Sequence, residues 1–211
     1  MMALALQAQS ANLPPPNGAL PKATVDLMRC VGAVATARGQ RVDPVQTGAH
    51  LSYYLILAAQ SAPTEKPLMK RVAELTAMAT SYFPEAGQAQ AIMEACDKAH
   101  PLAKEGLAGT LPTNSFERDF MCLTAIQVEM GSADEYRQST GDASYVDKLQ
   151  PLLLRFRARM TKAGLAANHI DSVAAVDRAQ DRVMAESVKI GNLASLLKLC
   201  DDAAPPSSLR P

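Results

Sequence analysis

The chain has no tryptophan, only four phenylalanines and five tyrosines, and no excess of either charge: 21 Lys plus Arg face 21 Asp plus Glu in 211 residues. Balanced charge excludes the basic footprint of a nucleic-acid binder and the strongly charged composition of a disordered tail. No run approaches the ~20 apolar residues that cross a bilayer, so no transmembrane segment is expected. Chemical signatures are equally scarce. GxSxG, GxGxxG, GxxxxGKS and HExxH are all missing, which leaves nucleophile-elbow, dinucleotide, P-loop and zinc-protease chemistry without support. No cofactor and no metal are expected, and the enzyme question leans to no. Strand formers are few as well: 12 Val and 5 Ile against 37 Ala. Ala is the best helix former and β-branched residues favour strands, so the composition predicts an all-α fold.

Helical spacing runs from residue 22 onward and predicts about seven helices in a bundle-like array. The first covers 23–38, with Leu27, Val31 and Val34 inward and Gly39 as its stop. The second opens at Asp43-Pro44, a cap followed by proline in the first turn, and its block LSYYLILAA is apolar all round and therefore central. The third, 65–82, aligns Leu68, Val72, Leu75 and Met78. The fourth, 85–100, turns Ala89, Ile92, Met93 and Cys96 inward and ends at Pro101. After a Gly/Pro/Thr-rich linker, the fifth runs from a cap at Thr113 or Asn114 to Met130, with Gly131 as its stop. Phe116, Phe120, Leu123, Ile126 and Met130 form its stripe. Residues 132–141 are polar, without a firm assignment. The sixth helix is expected over 143–163, and a long seventh from an Asn168 cap to Cys200, with Gly191 a point of bending or close approach.

A weak internal repeat accompanies this pattern. CVGAVATARG from Cys30 aligns with CLTAIQVEMG from Cys122, Thr47-Gly48 with Ser52-Tyr53 has a counterpart in Thr140-Gly141 with Ser144-Tyr145, and CDKAHP from Cys96 aligns with CDDAAP from Cys200. The matches are collinear and suggest two tandem copies of a small antiparallel helical unit. The organisation expected is a leader over 1–20, a first unit over 21–101, a linker over 102–112, a second unit over 113–202 and a disordered tail over 203–211.

The four cysteines, Cys30, Cys96, Cys122 and Cys200, include no CxxC pair and no zinc or iron–sulfur spacing. In each copy one lies in the opening helix and one near the end of the closing helix. Neighbouring helices of an antiparallel bundle would then pair Cys30 with Cys96 and Cys122 with Cys200; the other two connectivities stay open, as does a cytosolic protein with reduced, buried thiols. The leader MMALALQAQSANLPPPNG has a short apolar run and a small-x-small pattern but no basic residue before Lys22. It reads either as a signal-peptide remnant or as a disordered, Ala-rich leader.

Candidate contacts are few. His50 lies one turn ahead of Tyr53 and Tyr54, so it could meet a phenol, and a carboxylate in the same cleft would favour an enzymatic reading. His100 sits at a helix C-terminus, where a cation suits the dipole. Arg155, Arg159 and Lys162 share a face at 100° per residue and could meet an anionic partner; a solvated face is the plainer account. Glu117, Asp119 and Glu129 read as the solvated face of the fifth helix. Ten methionines would suit an adaptable groove or simply fill the core. Taken together, the sequence reads as a non-catalytic helical protein of the bacterial cell envelope, periplasmic or secreted. Two disulfides would staple it, and its ligand would be a protein partner or a small apolar molecule. The alternatives are a cytoplasmic helical adaptor or regulator with reduced cysteines, and an enzyme with a site around His50.

Overall fold

The computed structural model describes residues 20–38, 43–62, 65–104, 106 and 109–203. The leader and nearly all of the tail lie outside them. Nine α-helices and no strand occur among the described residues: α1 Lys22–Arg38, α2 Pro44–Ser61, α3 Leu68–Met78, α4 Ala86–Ala99, α5 Ser115–Thr140, α6 Ser144–Arg159, α7 Lys162–Ala167, α8 Val173–Ile190 and α9 Leu193–Asp202. Two short 3-10 turns, Ala79–Tyr82 and Pro101–Ala103, extend α3 and follow α4. The fold is all-α.

Local chemistry explains most boundaries. Asp43 accepts from the Val45 N–H and Pro44 opens α2, while Asn114 accepts from the N–H groups of Phe116 and Glu117 to start α5. α3 begins at Leu68, three residues past the expected start. Its first N–H groups, of Leu68 and Met69, donate at 2.6 and 3.1 Å to Asp181, a carboxylate reaching over from α8.

Four expected boundaries are corrected. Gly131 does not stop α5. The helix continues through the polar segment to Thr140, held by the burial of Ala133 and closed by Gly141, whose φ of 79° is the left-handed conformation glycine adopts freely. The sixth helix ends at Arg159, because Thr161 caps a separate short helix, α7, through the Gly164 N–H. Asn168 closes α7 rather than opening a long helix. His169 follows it at φ 57° and the Ile170 N–H returns to the Leu165 carbonyl, leaving Ser172 to cap α8. The long last helix is also broken. Gly191 ends α8 in extended backbone and Asn192 caps α9 by accepting from Ser195.

α2 is the centre of the packing. It lies against α1, α3, α5, α8 and α9. α1 packs on α2 and α4; α5 packs on α6, α8 and α9. The buried side chains form one cluster that runs through both halves, with Tyr54, Phe156, Met28 and Ile56 among its largest members. Burying each such side chain contributes roughly 2 kcal/mol. Ala103, just after α4, is fully buried, and the Asn192 amide donates to the carbonyls of Ala103 and Lys104 at 3.0 and 2.9 Å.

Two disulfides staple this array. Cys30 of α1 is bonded to Cys96 of α4, and Cys122 of α5 to Cys200 of α9, with Cα atoms 5.8 and 5.7 Å apart. This is the pairing that neighbouring opening and closing helices predict. The expected tandem repeat is not shown. Gly131 lies inside α5 whereas α1 ends at Arg38, and Thr47-Gly48 lies within α2 whereas Thr140-Gly141 closes α5.

Candidate functional site

The sites begin on α2, whose two sides carry different chemistry. His50 and Tyr54 are one turn apart and face α4; Gly48, about 200° from His50 around the helix, faces α5. On the α4 side, His50 Nε2 lies 2.7 Å from Asp97 Oδ1, and the Tyr54 hydroxyl donates to the same oxygen at 3.0 Å. The rings of Tyr53 and His100 pack around Tyr54, both edge-on, at 5.7 and 5.9 Å between centroids. Asp97 follows Cys96 directly, so the first disulfide fixes the carboxylate's place on α4.

Burial decides what this cluster can do. His50 and Tyr54 are 0% exposed, while Asp97, with 14% of its side chain accessible, reaches the surface. Desolvation lowers the His50 pKa, against the opposing pull of Asp97, and keeps the ring neutral. A neutral ring beside a carboxylate places its proton on Nε2. Nδ1 is then an acceptor, and it is buried without a partner. Desolvation also raises the pKa of Tyr54, with Asp97 adding to it, and of Tyr53. The carboxylate that an enzymatic site would need is therefore present, but imidazole and phenol are both enclosed in the core.

A second cluster lies on the opposite side of α2. Glu129 of α5 is 0% exposed, and its Oε2 accepts from the Tyr145 hydroxyl of α6 at 2.7 Å. A Cβ placed on Gly48 would lie 3.7 Å from the same oxygen, so α2 approaches the carboxyl closely. Among the described residues, Oε1 has no partner. Burial pushes the Glu129 pKa up to about 7, although the Tyr145 hydrogen bond pulls the other way. Tyr145 is raised by burial and then by Glu129, with a further contribution from Asp43 at the α2 cap.

Glu129 and Asp119 thus depart from the solvated face expected of them. Both are buried, and only Glu117 is exposed. The signal was present for Glu129, which stands seven residues after Cys122 and in line with it on the helix. Asp119 is 3.4 Å from the Arg159 guanidinium and 3.3 Å from Arg118.

The expected basic face is rearranged. Arg155 pairs with Asp201 of α9 at 3.4 Å, while Arg159 pairs with Asp119 of α5 and lies 5.2 Å from the Phe156 ring. Lys162 belongs to α7, beyond the break at 160–161, so the single-helix face ends at Arg159. Methionine is found mainly as core: Met28, Met93, Met121 and Met184 are buried. A groove of about 530 Å³ between α2, α3 and α8 is lined by Lys66, Leu68, Arg71, Asp181, Arg182 and Ala185 among others, charged groups set on a mostly apolar surface that sequence reasoning did not single out. No group of three or more metal-ligating side chains occurs among the described residues, and no described helix is long and apolar enough to cross a membrane. The chain matches no protein family, no curated protein and no solved structure.

Proposed function

We propose that the chain is a non-catalytic binding module of the bacterial cell envelope, working in an oxidising compartment, periplasmic or secreted. The observation that carries this reading is the pair of disulfides. All four cysteines are bonded, each bond ties an opening helix to a closing helix, and such bonds persist where thiols are not kept reduced. A scaffold stapled at both ends suits presentation of a preformed surface. A protein partner fits better than a small apolar ligand, because charged side chains of both signs rim the groove between α2, α3 and α8 and the buried methionines are packed as core. The His50–Asp97–Tyr54 cluster is assigned to positioning α4 on α2, since the imidazole and the phenol have no exposed surface.

A non-reducing peptide map with intact mass, on protein isolated from its native host, tests the reading. Linked Cys30–Cys96 and Cys122–Cys200 peptides are expected, with an N-terminus near Ala11 or later. Free alkylation of all four thiols, with residues 1–10 retained, would overturn it in favour of the cytoplasmic adaptor.

A further inference from the structure

We propose that the junction of α2, α5 and α6 is a pH-sensitive latch, closed while the Glu129 carboxyl holds its proton and loosened when it ionises. The inference stands on the geometry of that junction and is independent of compartment and partner. Glu129 lies in the middle of α5, wholly enclosed, at the point where the first turns of α2 and the first turn of α6 come together. Among the described residues, the Tyr145 hydroxyl is its one donor.

A neutral carboxylic acid tolerates such a place, leaving one polar atom unsatisfied. A carboxylate there is a buried charge with a single neutral hydrogen bond, an arrangement proteins avoid by neutralising the group or letting water in. Among the described residues, no cation offsets the charge. Tyr145 is the ionisable group that α6 brings to it, and Asp43 at the α2 cap is acidic. Thr47 and Gly48 of α2 and Ser132 of α5 carry no charge. Among the described residues, no cation of α2, α6, α8 or α9 forms an ion pair with Glu129.

Ionisation releases the Glu129 proton to solvent and leaves the negative charge on Oε1 and Oε2. The nearest relief is hydration, and water enters where packing is easiest to part. Here that is the seam where Gly48 presents no side chain to Glu129. The first turns of α2 and α6 therefore separate from α5, while the two disulfides hold α1 to α4 and α5 to α9. The latch opens locally within a stapled frame.

Hydrogen exchange of the full, oxidised chain at pH 5.5 and 8.5, corrected for intrinsic exchange, reads the latch. In the wild type, amides of 45–50 and 144–149 should lose at least tenfold protection at the higher pH relative to α4. In Glu129→Gln that loss should fall below threefold. An unchanged loss in the variant, or no loss in the wild type, overturns the proposal. Should Glu129→Gln fail to fold, carboxyl-carbon NMR of the wild type decides. One glutamate titrating near neutrality supports the latch, and every glutamate titrating below pH 5 overturns it. Tyr145→Phe removes the bond that favours the ionised form, so the midpoint of that glutamate should rise. A midpoint that stays or falls removes Tyr145 from the latch and overturns the proposal.

Discussion

The two halves of the molecule share a covalent plan and differ in how they treat a carboxylate. Each half has a long opening helix, a closing helix bonded to it through a disulfide, and one acidic side chain held by a tyrosine. In the first half Asp97 accepts from two donors, His50 and Tyr54, and keeps contact with solvent. In the second, Glu129 has one donor and no solvent. Donor number and access to water, not the presence of a tyrosine, decide whether a buried acid is a tie or a strain. Backbone packing differs as well. In α1, Gly32 lies so close to the turn at Tyr82 that an added Cβ would be 2.1 Å from the Tyr82 carbonyl oxygen, whereas Gly131 in α5 has nothing within 4 Å.

The covalent likeness is the first thing to test, and it has the largest expected effect. Replacing Cys30 and Cys96 by Ala, or Cys122 and Cys200, opens loops of 66 or 78 residues. Either change should destabilise by about 4 kcal/mol on chain entropy alone. Urea unfolding of the two double variants checks the equivalence, and midpoints implying a gap above ~2 kcal/mol between them would break it. Gly32→Ala comes next. With a backbone carbonyl in the way it should cost about 3 kcal/mol, seen as a lowered thermal midpoint.

Glu129 predicts a pH dependence of comparable size. Glu129 has a folded pKa of about 7 against 4.5 for the free group, so between these values the folded state binds the proton more tightly. Stability is therefore highest below pH 4.5 as far as this group is concerned. It falls as pH rises through 7, by about 3 kcal/mol in all. His50 acts in the opposite sense: its pKa is lowered from 6.5, and the stability it contributes above that value is lost as pH falls. Unfolding free energies measured from pH 4 to 9 should decline on the alkaline side in the wild type and stay level there in Glu129→Gln. In His50→Gln the alkaline decline should persist and the acid loss diminish. The smallest effect sharpens the backbone contrast. Gly131→Ala should raise stability by about 1 kcal/mol, because the site is helical and open.

Much of this architecture was legible in residue chemistry. The Asp43-Pro44 and Asn114 caps, the central apolar block of α2 and the placement of cysteines on opening and closing helices all act locally or through helix adjacency. What escaped depends on tertiary context. A helix tolerates Gly131 because Ala133 is buried two residues on, and α3 starts where Asp181, more than a hundred residues away, meets its N–H groups. Thr161, Ser172 and Asn192 were readable caps, hidden by the apolar periodicity that runs across them. The Asp97 cluster joins residues 47 positions apart, so His50 and Tyr54 could be suspected together but their partner could not. Glu129 looked like any acid on a helix; only its alignment with Cys122 hinted otherwise.

The order of the disulfides has one more consequence. Cysteines pair first with second and third with fourth, so neither covalent loop encloses or interleaves with the other. A chain delivered N-terminus first presents Cys30 and Cys96 as a complete set before Cys122 arrives. An oxidant that simply joins successive thiols then produces the native bonds, and maturation requires no later reshuffling by an isomerase.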